Sequence, residues 1–299
     1  MRAARRHGWV KNPDEVARVM RALPTPVFGD TPAGAADEPL PDEVYLWDAC
    51  RKVTGAVLPP RDQGAVGSCV GFGTATAIEH TLCAEIAAGD PDGFAPVCQE
   101  IVYAGSRVEV GRGRIRGDGS VGAWAAEFVR RWGVLQRGVH GRHDLSRYDP
   151  SACRSLGRTG VPDDLEPACR RHPVAGVARV TRFAEACRAL ASGYGIAVCS
   201  SQGFGMRRDA DGFAPPRGTW NHCMALVGYR RRGRPGGYIL NSWGPGAHTG
   251  PTGPGDPPPG GFWADAAVVD AMLGQGDSWA FSKVAGFPAK PAGVEGRRS

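Results

Sequence analysis

The chain predicts an α+β fold, a helical first half followed by an antiparallel sheet half. Three observations predict it. Helix-forming runs crowd the region up to about residue 193. Short runs rich in β-branched and aromatic residues, each bounded by glycine, follow from about residue 194. The two kinds of run do not alternate, so βαβ units and a parallel sheet are excluded. With 299 residues, a core large enough to stand without metal or disulfide staples is available.

In chain order, residues 1–40 read as an N-terminal arm, partly disordered. It holds a short helical pattern, "PDEVARVMRAL", and then "PTPVFGDTPAGAADEPLP", whose Pro, Gly and Asp content predicts an exposed, loosely ordered connection. An ordered body is expected over 41–288. "PPRDQGAVGSCVGFGTATAIEH" is a turn-rich stretch that becomes a helix at Cys69, and Gly89 is a plausible end to it. "GSVGAWAAEFVRRWG" predicts a second helix stopped by Gly133, and "VTRFAEACRALASG" a third. "YGIAVCSS", "HCMALVGYRR" and "GGYILNSWG" predict strands. Residues 245–260, "PGAHTGPTGPGDPPPG", offer almost nothing to a core and read as a flexible surface insertion. Residues 289–299 read as a loose tail.

Composition removes several function classes. The net charge of +6 is modest and comes almost entirely from arginine, the four lysines being Lys11, Lys52, Lys283 and Lys290. No aromatic platform accompanies the basic cluster Arg230–Arg234, so nucleic acid is not an expected partner. No run approaches the ~20 apolar residues of a membrane span, and the basic start is not followed by an apolar signal segment. The nine cysteines include no CxxC pair, which fits neither a disulfide framework nor a structural zinc site. Cytoplasmic residence, mostly buried thiols, no metal and no cofactor are the expectations.

One thiol stands apart. A cysteine is a strong nucleophile only as thiolate, and a helix N-terminus or a nearby imidazolium lowers its pKa. Cys69 sits where a helix begins, between Gly67, Ser68 and Gly71, small residues that leave room for a substrate backbone. His222 opens a strand, where a rigid element can orient an imidazole. Asn241 ends the next strand and can hold the His222 tautomer, with Trp243 shielding that hydrogen bond. The alternatives are bland ones: a buried core cysteine, a satisfied core histidine, and a turn asparagine in "NSWG".

"RDQGAVGSCVGFG", "NHCMALVGY" and "YILNSWG" resemble the three signature blocks of papain-like cysteine peptidases, in that family's chain order. "GDGSVGAWAAEFVRRWGVL" resembles the family's substrate-groove glycine segment, followed by a helix. The likeness spans roughly residues 40–288. It implies a two-lobed fold with a sheet or barrel half and an active site in the cleft between halves. It also implies Cys69 as nucleophile, His222 as base, Asn241 as its orienting partner and Gln63 as an oxyanion-hole donor. Gly119 and Ser120 would line the groove with Gly67, Ser68 and Trp243. The implied activity is hydrolysis of peptide bonds in a peptide or protein through an acyl-enzyme, as an endopeptidase or exopeptidase. Alternatives are an acyl transferase with the same triad, or a binding or structural module that leaves the fold's chemistry unused. Two family positions differ: Val66 stands where a cysteine is usual and Val70 where a tryptophan is usual, as in a bacterial or phage-like variant. The arm is shorter than the inhibitory prosegments of papain and cathepsins, so control lies elsewhere or the arm itself blocks the groove.

Overall fold

The computed structural model describes residues 7–288; the loose tail expected over 289–299 lies outside them. The helix that begins at Cys69 (Cys69–Ala87) is buried along nearly its whole length. No single apolar stripe is needed, because the helix is enclosed on all sides. Its small residues permit close packing. A Cβ at Gly71 would lie 2.8 Å from the Gln99 carbonyl oxygen, and one at Gly73 would lie 2.7 Å from Cys223 Sγ. The space at Gly71 is therefore taken by the neighbouring Gln99–Gly105 helix, not kept for a substrate as its spacing suggests.

The helix Gly122–Trp132 stops at Gly133, whose φ of +81° suits glycine. A Cβ there would meet the Cys169 carbonyl oxygen at 2.2 Å. Leu46–Thr54, Pro150–Thr159 and Phe183–Ala191 add further helices. The first two were not anticipated; Leu46–Thr54 buries Leu46, Trp47, Ala49 and Cys50, and Pro150–Thr159 only Cys153 and Gly157.

Seven strands form one sheet among the described residues, every pairing antiparallel. Its order is Gly176–Arg179, Asp277–Ser282, Ile196–Phe204, Pro216–Arg230, Gly236–Leu240 and Gly261–Asp265, with Glu43–Tyr45 also pairing on the Pro216–Arg230 strand. The register sets Ser200 opposite His222 and Ala225 opposite Leu240, so His222 and Asn241 end up on neighbouring strands.

The short helical pattern in the arm is a helix, Pro13–Arg21, and Glu15 accepts hydrogen bonds from Trp124 Nε1 (2.7 Å) and Arg114 (2.9 Å). Two stretches expected to be loose are held. Farther along the arm Phe28 is fully buried, edge-on to Tyr194 and Phe287. In the Gly/Pro-rich stretch, Gly255 and Pro258 carbonyls accept from Trp47 Nε1 (3.0 Å) and Tyr238 Oη (2.6 Å), while His248 is buried. Proline and glycine content reports backbone type, and it does not see these long-range anchors. All nine cysteines are free thiols, and all are buried.

Candidate active site

Cys69 is the first residue of its helix, behind Ser68 at the N-cap. The loop before it is stitched to the end of the Gly236–Leu240 strand. Gln63 N–H donates to the Ser242 carbonyl (2.9 Å) and Gly244 N–H to the Arg61 carbonyl (2.8 Å). The Gln63 side chain is clamped as well: Nε2 donates to the Val66 carbonyl (2.8 Å) and Oε1 accepts from Ser242 Oγ (2.6 Å). These contacts bring Gln63 and the neighbours of Asn241 together across 179 residues of chain.

His222 Nε2 donates to Asn241 Oδ1 (2.9 Å), and the same oxygen accepts from Ser242 N–H (2.7 Å). Trp243 lies across the His222 ring at 4.6 Å and 30°, and Trp220 packs on Trp243 at 4.7 Å. Among the described residues, His222 Nδ1 has no hydrogen-bond partner. The Cys69 sulfur lies within reach of the Cys223 backbone N–H, one residue from His222.

Residues 7–10 lie over this centre. Gly8 and Trp9 N–H both donate to the Asn221 carbonyl (3.3 and 3.0 Å). Ser120 N–H donates to the Gly8 carbonyl (2.8 Å), and Val10 N–H to the Ser120 carbonyl (2.9 Å). Gly8 also reaches the Cys69 sulfur through its backbone. The approach is close enough that a Gly8 Cβ would lie 1.9 Å from the Gly67 carbonyl oxygen, and a Gly67 Cβ 2.6 Å from that of His7. Gly67 and Ser120 thus face the arm. Gly119, at φ +113°, turns the chain here and donates to Tyr103 Oη (3.0 Å). The Ser68 hydroxyl instead meets the Tyr148 hydroxyl at 3.5 Å.

Trp9 is the anchor. Its ring is 4 % exposed, and Nε1 donates to Asp277 Oδ2 (2.7 Å). Asp277 is fully buried and also accepts from Gly122 N–H (2.8 Å) and Trp279 Nε1 (2.8 Å). Burial pushes its carboxyl up to about 6, against the pull of the Trp279 and Trp9 hydrogen bonds. Because the folded value exceeds the unfolded one, stability is highest at low pH and falls as pH rises from about 4 through 6. The full difference is about 3 kcal/mol at ~1.4 kcal/mol per unit. Carboxyl-selective NMR is expected to find Asp277 titrating near pH 6, and higher in Trp9→Phe, which lacks the indole N–H. A midpoint near 4 in both proteins would refute this.

Burial also sets the state of the central pair. It raises the Cys69 thiol, with the neighbouring Cys223 adding to the rise. It lowers His222 to about 3, against the Asn241 hydrogen bond, with His7 adding to the fall. With the arm in place the pair is thiol and neutral imidazole. In this covered state desolvation raises the thiol, against the backbone N–H groups of Cys223, Gly8 and Val70, which lower it. His7, Gly8, Trp9, Asn221, Trp220, Asp277 and His248 were all missed in the sequence. The legible signal was "HGWV", a glycine between two ring-bearing residues in an otherwise charged segment.

No protein-family model and no curated protein matches the chain. Solved structures do. Xylellain, a cysteine protease from Xylella fastidiosa, superposes with a TM-score of 0.57 at 17% identity over 93% of this chain and 92% of that one. Procathepsin B S9 from Trypanosoma congolense gives 0.54 at 12% identity over 93% and 85%. Digestive procathepsin L 3 from Tenebrio molitor gives 0.51 at 17% identity over 90% and 78%. The chain therefore has the papain-like cysteine peptidase fold.

Proposed function

We propose that the chain is a cysteine peptidase, closed in this structure by its own residues 7–10. The observation that carries the reading is the His222 Nε2–Asn241 Oδ1 hydrogen bond. It puts the ring proton on Nε2 and leaves Nδ1 as the basic nitrogen that would take the proton of the thiol at the helix start. Once the arm withdraws, water and the helix dipole favour transfer of the Cys69 proton to Nδ1. The thiolate adds to a peptide carbonyl, and the oxyanion takes hydrogen bonds from Cys69 N–H and Gln63 Nε2. His222 returns the proton to the leaving amine. Water, deprotonated by the same nitrogen, then releases the acyl group as acid and restores the thiol. The pocket that Trp9 fills ends on the Asp277 carboxyl, which suits a substrate side chain with an N–H donor.

Gly8 C=O is bonded to Ser120 N–H, and His7 C=O abuts Gly67, so the arm covers the site. The test is epoxysuccinyl labelling at pH 5–7 of full-length Trp9→Asp, with the labelled residue mapped by mass spectrometry, alongside cleavage of a fluorogenic peptide library. Selective labelling of Cys69 that collapses when His222→Ala is added, together with cleavage, is expected. Indiscriminate labelling of the nine cysteines without cleavage would favour a binding module.

A further inference from the structure

An asparagine amide has two orientations differing by exchange of oxygen and nitrogen, and only one serves His222. With Oδ1 toward His222, the amide accepts from the ring and from Ser242 N–H. Reversed, its NH2 would face two donors. The other end of the amide decides how firmly the useful orientation is held. There, Asn241 Nδ2 lies 3.2 Å from His248 Nε2.

His248 belongs to the Gly/Pro-rich stretch, yet it is 3 % exposed, its ring 4.4 Å from Phe262 and 6.3 Å from Trp220. The backbone around it is pinned. Thr249 N–H donates to the Met206 carbonyl (2.9 Å), Arg208 N–H to the Thr249 carbonyl (2.8 Å), and Arg208 Nη2 to the Gly250 carbonyl (2.6 Å). A loop with so little apolar content has no packing need to bury an imidazole. Here the imidazole meets the one side chain that orients His222.

We propose that His248 is a positioning residue: its Nε2 accepts the Asn241 Nδ2 hydrogen and so keeps Oδ1 turned toward His222. Nε2 must then carry no proton, and the ring is the Nδ1–H tautomer. The contacts run from His248 to Asn241 and from Asn241 to His222. His248 touches no reacting atom and acts only through the amide. The Ser242 N–H bond favours the same orientation, so loss of His248 weakens the arrangement without abolishing it. The inference rests on the peptidase reading.

In the full-length Trp9→Asp background, His248→Leu is expected to lower kcat about tenfold with KM within twofold. The alkaline limb of the rate profile, where the His222 imidazolium loses its proton, should move to lower pH, because that imidazolium has lost a fixed carbonyl partner. His248→Gln, whose side chain can again accept, should restore both. A structural defect alone would lower the amount of active enzyme and leave the limb in place. If Trp9→Asp shows no Cys69-selective labelling, the peptidase reading fails first. If it is active and His248→Leu moves neither kcat nor the limb, only the positioning role is overturned. Should His248→Leu fail to fold, 15N NMR of the unmodified full chain decides: Nδ1–H at His248 supports the proposal, and Nε2–H overturns it.

Discussion

Full-length Trp9→Asp is expected to alkylate at Cys69 at least about 100-fold faster than the unaltered protein at pH 7. In the closed state both Cys69 and His222 are inaccessible, so reaction waits for the arm to leave. The closed state depends heavily on one ring. Burying an aromatic of ~200 Å² at ~25 cal/mol/Å² contributes about 5 kcal/mol, an upper figure for a chain that is partly compact when released. The indole–carboxylate hydrogen bond adds about 2 kcal/mol. Ordering residues 7–10 costs roughly 1–2 kcal/mol each. These terms nearly cancel. Closure is therefore sustained by tethering to the anchored Pro13–Arg21 helix, whose Arg18 also bonds Glu127 (2.6 Å).

Near such a balance, every 1.4 kcal/mol lost changes the open fraction about tenfold. Aspartate at position 9 removes the ring and sets a second carboxylate against Asp277. Gly8→Ala should open the site by a separate route, since its methyl would collide with the Gly67 carbonyl. Either variant labelling no faster than the parent, with an unchanged melting transition, would mean that something other than the arm shields Cys69.

What could be read in the sequence divides along a physical line. Cys69, His222, Asn241 and Gln63 stand on regular elements or beside them, in local contexts that announce a helix start, a strand start or a strand end. Cys69, His222 and Asn241 were picked out by those contexts and Gln63 by the family resemblance, although the strand that carries His222 starts earlier, at Pro216. The helices Cys69–Ala87 and Gly122–Trp132 were legible for the same reason, through small or apolar residues in helical register and a glycine stop. Asp277, Trp9 and His248 were not legible. Each owes its position to a partner far along the chain: Trp9 to a carboxylate 268 residues away, His248 to a loop backbone pinned by Arg208. Helix start and imidazole are visible in sequence; the burial that raises the Cys69 thiol and lowers His222 in this covered state is not.

Gln63→Ala should separate two chemistries that share the same thiol. Peptide hydrolysis in the Trp9→Asp background is expected to fall ~10²–10³-fold, the usual consequence of losing one oxyanion donor. Alkylation of Cys69 by iodoacetamide builds no tetrahedral oxyanion, so it should change by no more than about threefold. The geometry makes the split sharp. Gln63 Nε2 spends one hydrogen on the Val66 carbonyl, and Oε1 is fixed by Ser242 Oγ. The amide plane is thus set before substrate arrives, and such a donor needs no reorganisation as charge develops. The backbone bond from Gln63 N–H to the Ser242 carbonyl survives the substitution, so the loop stays attached to the Asn241 strand end. Equal losses in hydrolysis and alkylation would show that Gln63 merely supports the thiol. Unchanged hydrolysis would remove it from the oxyanion site altogether.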